Sequence, residues 1–154
     1  MKICLVASRG GHIGEMCFAK DLNAEMFLIT EKTDNNNNIL FFCPTYYVDP
    51  INRRERNAVW KILKLFCTAY RILKKEKPDC YISTGALISI PVLLLGKLQG
   101  KKIIFIETLA RVVSPSLSGR IAYCFADVFV VYWESLLKYY PKAYYIDLFR
   151  EKME

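Results

Sequence analysis

His12 is the only histidine among 154 residues, and it stands in the stretch SRGGHIGE, Ser8 to Glu15, directly after the apolar run Ile3–Ala7. An imidazole changes charge near neutral pH, which suits it to take a proton from a hydroxyl group. Gly10 and Gly11, without Cβ atoms, allow a sharp turn and bring backbone N–H groups close to an anion. A helix opening near Ile13 would add its partial positive charge. These letters fit a diphosphate held beside a proton acceptor, and they equally fit a tight turn whose histidine caps a helix. The stretch is not a dinucleotide fingerprint, because the third glycine of that motif is missing.

Two further loops carry comparable groups. Ser83-Thr84-Gly85 follows the strand Cys80–Ile82, and ETLAR, Glu107 to Arg111, follows Ile103–Ile106 and leads into SPSLSGR. Ligands of open parallel sheets gather beyond the carboxyl ends of the strands, so three such loops are expected around one crevice. Together they offer backbone donors, hydroxyls, an imidazole, a carboxylate and a guanidinium. Glu107 and Arg111 also have the spacing of a plain i, i+4 ion pair.

The elements that must position these loops are legible as apolar runs. Ile3–Ala7, Met26–Thr30, Ile39–Cys43, Cys80–Ser83, Ile103–Ile106 and Val128–Tyr132, with a weaker run at Ala143–Leu148, read as strands. Most are continuous rather than alternating, as in strands covered on both faces. Helical patterns lie at Gly14–Asn23, Asn57–Lys75, Leu87–Leu98, Leu117–Phe125 and Glu134–Tyr140, and Asp34–Asn38 reads as a loop. The alternation predicts a single α/β domain over residues 1–154, a Rossmann-like parallel sheet with helices on both faces.

Charge is confined. Of the formal net +7, all resides between Arg53 and Lys77, where nine basic residues face Glu55 and Glu76. Val59, Ile62, Leu63, Phe66, Tyr70 and Leu73 follow helical spacing there, with Lys61, Lys64, Arg71 and Lys75 largely elsewhere on the wheel and Trp60 beside them. Such a basic amphipathic helix suits an anionic membrane surface, with Trp60, Lys61, Lys64 and Arg71 as contacts, and it also suits a sheet-covering helix with a solvated lysine face. Nucleic acid ranks lower as a partner, since no reading module accompanies the basic stripe. Mean hydropathy is +0.16, and the longest uncharged run, Cys80–Gly96, is broken by Gly85 and Pro91, so no membrane span is expected. The start, Met1-Lys2 followed by a strand, does not read as a signal peptide, and a cytoplasmic protein is expected. The six cysteines lack C-x-x-C spacing and read as buried thiols; neither a metal nor a cofactor is called for.

Six motifs in order, SRGGHIGEM, LITEKTD, STGALISIP, IETLARVVSPSLSGR, ADVFVVYWES and YPKAYYIDLF, resemble the signatures of the acceptor-binding subunit of split UDP-sugar glycosyltransferases. Eukaryotic members of that family add the second N-acetylglucosamine to a dolichol-diphosphate-linked sugar; bacterial members serve capsule and exopolysaccharide assembly. The resemblance implies the N-terminal half of a GT-B glycosyltransferase and a separate donor-binding partner chain. It implies a polyprenyl-diphosphate-linked sugar as acceptor and a peripheral place on the cytoplasmic face of the membrane. It implies His12 as the base, with Glu107 orienting a sugar hydroxyl or the imidazole. Gly10, Gly11, Ser83, Thr84, Gly85 and Arg111 would hold acceptor and diphosphate, and Glu15 would support the glycine loop. The chain departs from the family at Ala86-Leu87, where Pro-Gly is usual, at Asp147, where glycine is usual, and in lacking the eukaryotic N-terminal anchor. A scaffold that only recruits the catalytic chain, and a nucleotide- or nucleic-acid-binding α/β domain, are the competing expectations.

Overall fold

The computed structural model describes residues 1–32, 42–51 and 55–148. Seven strands form one sheet in the order β3-β2-β1-β4-β5-β6-β7, every neighbouring pair parallel. The strands are β1 Lys2–Val6, β2 Glu25–Glu31, β3 Thr45–Val48, β4 Cys80–Ser83, β5 Lys102–Ile106, β6 Val128–Val131 and β7 Tyr144–Tyr145. The α-helices are α1 Gly11–Glu15, α2 Ala58–Glu76, α3 Ser89–Leu98 and α4 Leu117–Tyr123, and 3-10 turns cover Met16–Asp21 and Glu134–Leu136. Strand order reverses between β1 and β4, so the loops after those two strands part company there and leave a crevice.

Two apolar cores flank the sheet. On one face α2, α3 and α4 bring Leu65, Ala69, Leu73, Val92, Leu93 and Ala122 against Cys4, Val6, Phe27, Tyr81, Phe105 and Phe129. On the other, α1 and its 3-10 extension bring Ile13, Met16 and Ala19 against Leu5, Leu28, Ile82 and Ile106. Alternate residues of each strand thus enter different cores, which is why the runs are continuous.

The expected third strand is displaced. Phe42 and Cys43 lie in a bend and the paired strand is Thr45–Val48, while 39–41 and the Asp34–Asn38 stretch fall outside the described residues. Tyr46 and Tyr47 of this edge strand are half-buried, so the pattern there is not a fully apolar run. The helix expected at Gly14–Asn23 begins earlier, at Gly11, and tightens to 3-10 at Met16. The one expected at Glu134–Tyr140 is a single 3-10 turn.

Helix α2 buries only part of the apolar stripe that its spacing outlines, Leu73 fully and Ile62 partly. Leu65, Ala69, Ile72 and Leu73 are buried, whereas Val59, Trp60, Leu63 and Tyr70 face solvent. The helix therefore carries two apolar stripes. Cysteine burial is also less than expected: only Cys4 and Cys80 are buried, and Cys17, Cys67 and Cys124 are exposed.

Candidate functional site

The crevice at the carboxyl end of the sheet is a small cleft of about 140 Å³ lined by His12, Ala86, Leu87, Thr108, Arg111, Ser116, Leu117 and Ser118. Gly10 takes φ +81° to turn the chain from β1 into α1, a conformation that favours glycine. Both Gly10 and Gly11 are exposed, and a Cβ on either would meet nothing within 4 Å. His12, half-buried, enters the cleft from the first turn of α1.

Across the switch point, the loop after β4 meets it. His12 Nδ1 lies 2.8 Å from the Thr84 carbonyl oxygen, and Thr84 Oγ1 donates to the His12 carbonyl at 2.8 Å. Ser83 and Thr84 are fully buried, and Ser83 Oγ accepts from Gly85 N at 3.1 Å. Their hydroxyls thus serve the loop and α1, and do not face a ligand as the sequence suggested. Gly85 at φ +111° is followed by Ala86 at φ +83°. A proline ring, fixed near −65°, cannot adopt the angle of Ala86, so the departure from the family's Pro-Gly is built into this loop.

Glu107 lies beneath the cleft wall and does not line it. Its carboxylate is 1% exposed and accepts from Thr108 N at 3.2 Å, Ser116 N at 3.1 Å and Tyr140 Oη at 2.9 Å. Gly119 passes so close that a Cβ there would stand 2.1 Å from Glu107 Oε2. Burial, then the Glu107 charge, pushes the Tyr140 phenol well above its ordinary value. This geometry makes Glu107 a post for the wall and excludes contact with a sugar in the cleft as it stands. Arg111, by contrast, is exposed and lines the cleft.

Glu15 reaches away from the glycine loop to the opposite wall. Its Oε1 accepts from Thr108 Oγ1 at 2.7 Å and from Leu109 N at 3.2 Å, and Trp133 Nε1 donates to Leu109 O at 2.8 Å. The 107–111 loop is therefore gripped from both sides. Ser116 caps α4, accepting from Gly119 N at 2.8 Å.

Sequence reasoning passed over Thr108, Ser116 and Ser118 as site residues, although SPSLSGR carried the signal of a serine before an apolar helical run. Glu31, at the carboxyl end of β2, is not among the cleft-lining residues. Burial pushes that carboxyl up, opposed by the Ile51 N–H and, more weakly, by the charge of His12.

The proposed membrane contacts diverge. Trp60 is 75% exposed and Arg71 is exposed, but Lys61 pairs with Glu55 and Lys64 pairs with Asp49 at 2.6 Å. No helix among the described residues is long and apolar enough to cross a membrane.

Against known proteins, residues 50–149 match the family profile described as "Oligosaccharide biosynthesis protein Alg14 like". UDP-N-acetylglucosamine transferase subunit ALG14 of Rattus norvegicus is 36% identical over 114 residues, 66% of this chain and 52% of that protein. An N-acetylglucosamine transferase of Staphylococcus aureus (strain JH9), whose acceptor is a pyrophosphoryl-undecaprenol, is 37% identical over 92 residues, 60% of this chain and 25% of that one. Among solved structures, Acinetobacter baumannii MurG superposes with a TM-score of 0.68 at 20% identity, over 86% of this chain and 41% of that one. A UDP-GlcNAc 2-epimerase of Methanocaldococcus jannaschii superposes at 0.66 and 15% identity, over all of this chain and 43% of that one. These likenesses give the fold, the Rossmann-like half of a GT-B molecule, and the chain spans about half the length of the curated ALG14 relatives it matches. The glycine-turn cleft at the strand-order reversal, the motif order and the profile match agree: this chain belongs to the Alg14-like family of oligosaccharide biosynthesis proteins.

Proposed function

We propose that this chain is the acceptor-binding and membrane-recruiting subunit of a two-chain inverting glycosyltransferase. The acceptor is a polyprenyl-diphosphate-linked sugar, and the donor, UDP-N-acetylglucosamine or a related UDP-sugar, is held by the partner chain. The observation that carries the reading is that His12 and Arg111 line one cleft in a fold equivalent to half of a GT-B molecule. In the transfer, the acceptor hydroxyl oxygen bonds to the anomeric carbon and the bond from that carbon to the UDP oxygen breaks. The electron pair leaves with UDP, and the hydroxyl proton passes to His12 Nε2. Arg111 offsets diphosphate charge, and the exposed Gly10 and Gly11 give the diphosphate close access to backbone.

Recruitment to the cytoplasmic face of the membrane rests on the outer stripe of α2. Val59, Trp60, Leu63 and Tyr70 project to solvent beside Arg71 and Lys74, an apolar and aromatic strip flanked by cations. The partner seats on the C-terminal stretch Tyr140–Glu154, of which the residues beyond Leu148 lie outside those described. Supporting this, Ile146 and Leu148 edge an apolar hollow of about 330 Å³ with Phe18, Leu109, Val130 and Tyr132.

The test is reconstitution on vesicles bearing the lipid-linked acceptor. Transfer from the UDP-sugar is expected only when both chains are present, and Trp60→Ser with Leu63→Ser is expected to release this chain from anionic vesicles. Transfer by the partner alone at the full rate contradicts the reading. So does binding to RNA in preference to anionic vesicles.

A further inference from the structure

Beyond the assignment of His12 as base, on which this inference rests, we propose that Thr84 is a positioning residue whose clamp on His12 selects the ring nitrogen left free for the acceptor. An imidazole that is to accept a proton at Nε2 must carry its own proton on Nδ1, the less favoured form of free histidine in water. Something must hold it there. A carbonyl oxygen can only accept, so the 2.8 Å approach of His12 Nδ1 to Thr84 O places the proton on Nδ1 and leaves Nε2 bare. The same residue grips the backbone of its partner, since Thr84 Oγ1 donates to the His12 carbonyl, also at 2.8 Å. Ring and main chain of His12 are thus fixed by one residue 72 positions away.

The loop that presents this carbonyl is itself held. Ser83 Oγ takes the N–H of Gly85 at 3.1 Å, and Ala86 O takes both the N–H of Ser89 at 3.2 Å and its hydroxyl at 2.6 Å. Gly85 leaves room for the ring: a Cβ there would stand 3.3 Å from His12 Cε1 on a backbone at φ +111°. Thr84 is 0% exposed, so its side chain has no route to the acceptor. The clamp spans the reversal of strand order between β1 and β4, and His12 lines the cleft there. In hydrolytic triads the carboxylate that fixes a histidine tautomer is worth a large factor in rate without touching substrate, and here a backbone carbonyl held by a threonine does that work.

Because the chain has one histidine, ring-¹⁵N-histidine labelling gives one pair of ring signals with no assignment problem. In this chain, with the imidazole neutral, Nδ1 is expected to appear protonated and Nε2 unprotonated. Thr84→Val, which keeps the shape and loses the donor, is expected to shift population toward the Nε2-protonated form. It should also lower kcat in the reconstituted pair by about tenfold, with KM for the acceptor within about twofold, as the competent fraction falls. Thr84→Ser restores both readouts. A wild-type ring protonated on Nε2, or a Thr84→Val chain with unchanged tautomer and kcat, overturns the proposal. The wild-type spectrum needs no variant to fold, so the outcome does not hang on the tolerance of position 84. An Nδ1-protonated ring, together with full transfer by His12→Ala, would sink the base assignment and leave the clamp standing.

Discussion

The amino end of the sheet and the cleft at its carboxyl end treat charged and polar groups in opposite ways. At the amino end charges pair with one another near solvent: Lys2 with Glu25 and Glu76, Lys97 with Asp127. Around the cleft at the carboxyl end polar side chains are bound to backbone, Glu107 and Thr84 fully buried and Glu15 half-buried, while the exposed pairs of Asp49 with Lys32 and Lys64 lie apart beside β2 and β3. Backbone angles divide likewise. Lys77 and Gly100, with positive φ, close α2 and α3 at the amino end, while Gly10, Gly85 and Ala86 shape the cleft loops. An exposed pair is replaceable by water, whereas a buried group bound to a specific N–H has no substitute. The amino end should therefore tolerate change that the carboxyl end does not.

The sharpest way to break that contrast is at Gly119. Gly119→Ala thrusts a methyl group into Glu107 and the Tyr140 hydroxyl, and is expected to cost about 3 kcal/mol, a fall in Tm of roughly 6–12 °C. Glu107→Gln keeps the volume but, whichever way the amide turns, sets its NH₂ against a backbone N–H that can only donate, that of Thr108 or that of Ser116; the expected loss is about 2 kcal/mol by urea unfolding. Ala86→Gly, relieving a left-handed alanine, is expected to gain about 1 kcal/mol. A loss there would show that the methyl group packs better than the angle strains.

The smallest effect lies at the amino end. The Lys97 ammonium, aided by the Ile103 N–H, holds the Asp127 carboxyl below its ordinary range against the opposing pull of burial. A lowered folded value means that its stabilisation is present at neutral pH and is lost as the pH falls through that value. Asp127→Asn is expected to cost under about 1 kcal/mol at pH 7, discounted for solvent screening, and to converge with the parent chain in acid, once the pH has fallen through that lowered value. A cost equal to that of Glu107→Gln would erase the distinction between the two ends.

What the sequence made legible follows the same division. Strands were readable because both faces of β1, β4 and β5 are covered, so Ile3–Ala7, Cys80–Ile82 and Ile103–Ile106 form unbroken apolar runs. The edge strand Thr45–Val48 escaped, because half-buried tyrosines interrupt that signal. His12 and Arg111 were readable from residue type and loop position. The roles of Glu107 and Thr84 were not, because their partners lie 33 residues away at Tyr140 and 72 away at His12, and no local pattern encodes such a contact. The inward face of α2 stayed open between membrane and sheet because the helix carries two apolar stripes, and hydrophobicity alone does not say which one meets the sheet.

The central claim is that His12 takes the acceptor proton in a cleft completed by another chain. It is tested most directly by measuring kcat and KM for His12→Ala in the reconstituted pair while following co-purification of the two chains. A fall in kcat of about 100-fold or more, with the partner still bound and KM for the acceptor little changed, is the predicted result. Unchanged transfer with an intact complex would contradict it and leave this chain a scaffold.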